Sequence, residues 1–252
     1  MFSDAHCHVD HMSVAEIREA ERLGVRPILV AGTDLESSWE SVRLAADHPS
    51  LLACVGLHPW RADRYNENML ARLREMSASD KVAAISETGL DYVGRRATAG
   101  DYTTEILSKE VQVRAFRAQL RLAEEAVLPV ITHERGALDD VLRTVTEEKP
   151  SRGFVIHGFS GVIGDARRCI GAGAHLSIGP RALNRANNGD FLEAVKWIPD
   201  ERLLLETDSG TPAEVIKVAE KVAHLKGLTL NQVGDITPST LRRLIRRRLR
   251  DR

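Results

Sequence analysis

His6 and His8 stand one residue apart in the run Phe2-Ser3-Asp4-Ala5-His6-Cys7-His8. In a strand, successive side chains point to opposite faces, so the two imidazoles share a side, about 7 Å apart along the chain. That is chelate spacing. Neutral imidazole is a good ligand for divalent metals, and two rings on one rigid strand end lose little freedom on binding. Such a pair also serves as a plain hydrogen-bonded polar cluster, and the choice between the two turns on what else the chain supplies. His, Glu and Asp recur where later apolar runs end: His58 in Val55-Gly56-Leu57-His58-Pro59-Trp60, Glu87 in Ile85-Ser86-Glu87-Thr88-Gly89-Leu90-Asp91-Tyr92, His133 in Ile131-Thr132-His133-Glu134-Arg135, His157 in Val155-Ile156-His157-Gly158, and Asp208 in Leu205-Glu206-Thr207-Asp208-Ser209. Mixed nitrogen and oxygen donors suit zinc, manganese, iron or nickel, whereas magnesium prefers oxygen. A carboxylate offers one oxygen to each of two ions. Glu87 is therefore the natural bridge between His6 and His8 on one side and His133 and His157 on the other, with Asp208 completing the first ion and lying close to its water. Two ions about 3.5–4 Å apart acidify a shared water and stabilise both the attacking and the leaving oxygen. The chemistry this favours is hydrolysis of phosphate esters or amides.

These residues need a scaffold that gathers strand ends. Runs rich in Val, Ile and Leu alternate with segments of helical period, the pattern of repeated βα units. Strands are predicted over 2–8, 26–31, 51–57, 82–86, 128–132, 153–157, 174–178 and 202–206. Helices are predicted over Val14 to Leu23, Leu35 to Asp47, Met69 to Met76, Val111 to Ala126, Ala137 to Thr146, Ile163 to Ile170 and Phe191 to Trp197. About eight such units suggest an α/β fold closed as a (βα)8 TIM barrel, with a doubly wound open sheet as the competitor. In a barrel all the strand ends named above converge on the face that carries chemistry; in an open sheet the first and last would stand apart. No internal repeat or low-complexity linker divides the chain, so residues 1–252 are read as one domain. Val93 to Ser108 is long for a βα loop, which fits either a substrate-binding element or a surface insertion.

The chain has 252 residues and a formal charge of −1, so nucleic-acid binding would have to rest on a local patch or on metal ions. Cys7, Cys54 and Cys169 are odd in number and lack CxxC spacing, which argues against a zinc–cysteine site and for a reducing, cytoplasmic setting. No apolar run reaches the ~18 residues of a membrane span.

The segments quoted above, with Asp4-Ala5-His6-Cys7-His8-Val9-Asp10 and Leu204-Leu205-Glu206-Thr207-Asp208-Ser209, appear in the order found in the TatD family of metal-dependent hydrolases, which the chain resembles from residue 4 to 209. The resemblance implies a (βα)8 barrel with additional C-terminal helices and deoxyribonuclease activity on DNA. It also implies two divalent ions (Mg²⁺, Mn²⁺ or Zn²⁺), one held by His6, His8, Glu87 and Asp208, the other by Glu87, His133 and His157. His58 and Arg135 correspond to family positions near the substrate phosphate. The chain departs from the family pattern where it has Trp60 instead of a second His, where Gly210 replaces a Pro, and where an Arg-Asn-x-Pro loop after the last strand is missing. None of these touches an expected ligand; they bear on substrate.

Several residues carry two readings. His58 either contacts substrate or caps the strand end beside Pro59. Arg135 either binds phosphate through its planar guanidinium or pairs with a nearby carboxylate. Glu206 shares a strand face with Asp208 and is either a partner to the metal ligands or a core carboxylate. His11, His48, His175 and His224 lie in no motif, and Cys7, pointing away from the histidines, is expected to pack against a helix. Leu241 to Arg252 holds Arg242, Arg243, Arg246, Arg247, Arg248, Arg250 and Arg252 with leucines at helical spacing, which fits a solvated basic face or a phosphate-contact surface. Two other functions compete with a nuclease. One is a metal-dependent amidase, lactonase or deacylase, though the bridging position that such barrels give to a carboxylated lysine is Glu87 here. The other is a catalytically silent barrel that binds nucleic acid or a partner protein.

Overall fold

A computed structural model of the chain describes residues 1–8, 12–94 and 106–245. Its strands are β1 (Phe2–His8), β2 (Val25–Ala31), β3 (Leu51–Val55), β4 (Val82–Asp91), β5 (Val130–Arg135), β6 (Phe154–Ile156), β7 (His175–Ile178) and β8 (Leu203–Leu205). They form one sheet in sequence order, with each neighbouring pair parallel. Just beyond the β8 ladder, the backbone N–H of His8 donates to Ser209 O (2.9 Å) and that of Asp208 to His6 O (3.0 Å), so the first and last strands meet. This closes the sheet into a (βα)8 barrel.

The helices are α1 (Val14–Arg22), α2 (Leu35–Asp47), α3 (Glu67–Ser77), α4 (Lys109–Ala126), α5 (Leu138–Glu148), α6 (Ile163–Gly171), the single turn α7 (Pro180–Leu183), α8 (Gly189–Trp197), α9 (Val215–Lys226) and α10 (Leu230–Ile245). Their starts are written in the sequence. Ser13 and Glu16 form a capping box at α1, Asp34 caps α2, and Asn66 accepts from Met69 N–H at α3. Burial forms two layers. Cys7, Ile17, Ala20, Phe116 and their neighbours fill the space between strands and helices, which is where Cys7 was expected. Ala5, Leu29, Cys54, Ala84, Ile131, Val155 and Leu204 fill the barrel interior, and Leu241 and Leu244 of α10 plug its N-terminal opening.

The single turn α7 and the helix α9 were not among the predicted helices, and β4 and α10 run well past the bounds read from the sequence. β4 continues past residue 86 to Asp91, placing Glu87 inside the strand rather than after it. The apparent breaker, Gly89, has φ +137°, and a Cβ there would lie 2.1 Å from the carbonyl oxygen of His133, so the glycine allows β4 and β5 to run side by side. α10 starts at Leu230, well before Leu241, and carries Pro238 in its interior. Proline forfeits one helical hydrogen bond and normally reads as a boundary. Arg242 donates to Arg26 O (3.2 Å), so this basic segment begins at the end of the barrel opposite the histidines; residues 246–252 lie outside the described residues. Of the Val93 to Ser108 stretch, 95–105 likewise lie outside them. Among the described residues no helix is long and apolar enough to cross a membrane.

Candidate metal centre

The C-terminal ends of the strands bring every expected ligand together around Glu87, which is almost fully buried. Its two oxygens face different partners. Oε2 lies 3.6 Å from His6 Nε2 and 3.7 Å from His8 Nε2. Oε1 lies 2.8 Å from His133 Nδ1, 2.9 Å from His157 Nε2 and 3.4 Å from His58 Nε2. Asp208 Oδ1 is 3.0 Å from His8 Nε2 and 3.8 Å from His6 Nε2. The His6 ring stacks on His157 with centroids 4.0 Å apart.

Behind the histidines stand carboxylates. His133 directs its other nitrogen, Nε2, at Asp91 Oδ2 (3.2 Å), and His157 directs Nδ1 at Glu206 Oε1 (3.5 Å, an ion-pair distance rather than a formed hydrogen bond). A carboxylate on one ring nitrogen fixes the tautomer and leaves the lone pair on the nitrogen facing Glu87. Asp91 is itself held by Trp60 Nε1–H (2.8 Å) and by the N–H groups of Val93 (2.9 Å) and Gly94 (2.8 Å). Glu206 Oε1 accepts from Gly158 N–H (2.7 Å). His58 differs. Its Nδ1 accepts the Trp60 backbone N–H (3.1 Å), so in the neutral ring the proton is on Nε2, which faces Glu87 as a donor. Asp4, fully buried, accepts from the N–H groups of His6 and Thr207 (both 3.1 Å) and from Thr207 Oγ1 (2.6 Å), and burial raises its pKa to about 8.

Electrostatically the cluster is short of fixed positive charge. Burial works against ionised Glu87, but His58, His157 and His133 around it hold its pKa well below the ordinary carboxylate value. Burial also opposes charge on His157 and His133; Glu87 with Glu206, and Asp91 with Glu87, outweigh it and raise both pKa values. His6 goes the other way, lowered by burial and by His157. Asp208 is lowered, its burial outweighed by His8 and His157. Protons on imidazoles are thus balancing carboxylates, a task that a cation performs in a metal site. His6 supplies the sharper test. The ring is fully buried, yet neither nitrogen has a hydrogen-bond partner, a costly arrangement unless something else takes the lone pair. Donor atoms of His6, His8 and Glu87 lie within 4.8 Å of one another, as do those of His6, His157 and Asp208. Such separations suit donors sharing an ion at ~2.0–2.2 Å. The residues therefore fit divalent metal.

The cluster floors a cavity of ≈ 590 Å³ whose walls include Trp60, Arg61, Arg135, Arg181 and Arg185. Arg135 donates to Gly94 O (3.0 Å), while Glu134 accepts the Ala137 N–H, so these neighbours do not pair with each other. Sequence reasoning passed over Asp91, Arg181 and Arg185, and took Trp60 only as a departure from the family pattern. Asp91 and Trp60 become partners across 31 residues, and nothing local signals that. Arg181 and Arg185 sit on the β7–α8 connection, and their spacing of four on a short polar segment was the one available hint.

Comparison with known proteins agrees with this geometry. The family model described as TatD-related DNase matches residues 3–246. An uncharacterised metal-dependent hydrolase of Bacillus subtilis, YabD, is 33% identical over a 267-residue alignment covering 98% of this chain and 99% of its own. A protein of Erwinia billingiae named 3′-5′ ssDNA/RNA exonuclease TatD is 29% identical, with 91% of each chain covered. Among solved structures, the TatD homologue YJJV of Escherichia coli K12 superposes with a TM-score of 0.84 at 26% identity over 97% of both chains.

Proposed function

The chain belongs to the TatD-related DNase family and is a metal-dependent hydrolase; from that premise we propose that it is a deoxyribonuclease, cleaving phosphodiester bonds at a two-ion centre with water as the nucleophile. The observation that carries this reading is the division of Glu87 between two sets of histidines, His6 and His8 at Oε2 and His133 and His157 at Oε1. In this reading His6, His8, Glu87 and Asp208 hold one divalent ion, and Glu87, His133 and His157 hold the other. Bound there, Mg²⁺, Mn²⁺ or Zn²⁺ supplies Lewis acidity that makes water a nucleophile near neutral pH and offsets charge on the phosphate.

The chain's own groups do the rest. Asp208, a carboxylate at the lip of the buried cluster, orients the attacking water and takes its proton. His58 turns its Nε2–H toward Glu87 and the cavity, where it donates to a non-bridging phosphate oxygen. Arg135, fixed by Gly94 O, presents its guanidinium to the same phosphate. DNA is the proposed substrate because the cavity combines donors for divalent metal with arginine walls, and because the relatives are named as nucleases.

The test is hydrolysis of end-labelled single- and double-stranded DNA by metal-stripped protein, with Mg²⁺, Mn²⁺ or Zn²⁺ restored and Asp208→Asn alongside. Metal-dependent cleavage is expected, falling by about 10²–10⁴-fold in the variant, the usual worth of a positioned acid–base group. Metal bound tightly with no DNA cleaved would move the substrate to amides or carboxylic esters.

A further inference from the structure

Arginines stand on opposite walls of the cavity above Glu87. Arg181 and Arg185 follow β7, and Arg61 follows β3. In an eight-stranded barrel wound in sequence order these strands face each other across the axis, with the metal donors of β1, β4, β5 and β6 and of the β8 end between them. Arg181 Nη2 lies 3.3 Å from Asp208 Oδ2, so its charge reaches the edge of the donor cluster. Arg185, four residues along, is exposed and has no ion-pair partner among the described residues. Arg61 is 3.4 Å from Asp34, a contact between two half-buried residues at the rim.

The loop that carries the β7 pair is braced. Pro180 opens α7, Asn188 Nδ2 donates to the carbonyls of Ala182 (2.8 Å) and Leu183 (3.3 Å), and Lys221 of α9 bonds Asn184. Such bracing costs conformational freedom, and here it fixes the backbone that carries two exposed arginines at the mouth. The adjoining wall after β8, residues 209–214, contains no basic residue, so positive charge on this side comes from the β7 loop.

Guanidinium groups on opposite walls are placed to take different phosphates of one strand rather than to converge on a single phosphate. We propose that Arg181 and Arg185 clamp the backbone on one side of the scissile phosphate and Arg61 holds it on the other, so that the site takes an oligonucleotide lying across the mouth in preference to a mononucleotide. This rests on the phosphodiesterase reading for its scissile bond but not for its binding.

The decisive measurement is the affinity of the metal-loaded protein for an end-labelled phosphorothioate oligothymidylate, which resists cleavage, as a function of salt. Arg181→Ala/Arg185→Ala is expected to weaken binding at least about tenfold and to flatten the log–log salt slope by roughly 1.4, the value for two phosphate contacts on a single strand; Arg61→Ala flattens it by about 0.7. Arg181→Lys/Arg185→Lys keeps the slope, because the charge survives. Arg43→Ala/Arg72→Ala, on the outer helices α2 and α3, is the control for general loss of charge. Unchanged binding in the β7 pair, or an equal loss in the control pair, overturns the clamp. If the wild type binds the probe through Arg181 and Arg185 yet cleaves no oligonucleotide with any metal, the phosphodiesterase reading fails and the clamp stands.

Discussion

Glu206 shows how much one side chain behind the ligands can decide. One oxygen accepts from Gly158 and faces His157, while the other is buried without a partner. A carboxylate kept in that position aligns the imidazole and raises its basicity. Glu206→Gln keeps the shape but removes the charge, so affinity for the second ion is expected to fall about 10–100-fold, read by competition against a chromogenic chelator, with thermal stability nearly unchanged. Equal metal affinity in the variant would return Glu206 to the role of a core hydrogen-bonding group. The cluster of proposed ligands was legible in the sequence because His, Glu and Asp are unexpected where Val- and Ile-rich runs end. Asp91 and Trp60 were not, since each has an ordinary meaning alone, and only the packing of β4 against the turn after His58 makes them one unit. Of the two readings of Arg135, pairing with a neighbouring carboxylate is not seen among the described residues, where its Nη1 donates to Gly94 O instead.

At the scale of elements, α4 holds the scaffold through two buried glutamines. Gln119 accepts the Leu57 N–H (2.7 Å) and donates to Leu57 O (3.0 Å), fixing the chain one residue before His58. Gln112 does the same for Asp91, accepting its N–H (2.8 Å) and donating to its carbonyl (2.9 Å). Gln119→Leu fills the space but leaves a buried N–H and C=O unpaired, at about 1–3 kcal/mol each. Urea unfolding should therefore show a loss of roughly 2–5 kcal/mol; a loss under about 1 kcal/mol would mean that Leu57 finds other partners. Periodicity located α4 within two residues of its true start, yet it treats glutamine as surface and so hides this function. The order of strands followed from the alternation of elements, and the closure at β1 and β8 from the recurrence of His, Glu and Asp at the strand ends. The full extents of β4 and α10 did not, because Gly89 and Pro238 each look like a stop and are accommodated by neighbours that only the folded chain supplies.

Across the whole molecule the two ends of the barrel are specialised: metal donors and arginines at one, the apolar plug of α10 at the other. His175, where β7 begins near that plug, has its pKa lowered to about 4 by burial and then by Arg202. A folded-state pKa below the ordinary 6.5 means that the unfolded chain binds the proton more readily. The contribution is present above pH 6.5 and is lost as the pH falls toward 4. The melting temperature of His175→Gln relative to wild type should accordingly rise on acidification through that window, and a constant difference would show that His175 is solvated in the fold. At the other end, the seam between β1 and β8 has a consequence in time. Asp4 and Thr207 are hydrogen-bonded across 203 residues, and His8 and Asp208 across 200. The ribosome releases His8 200 residues before Asp208, so most of the barrel is made before that partner exists. A nascent fragment that stops short of the eighth strand lacks both contacts and cannot carry the assembled cluster.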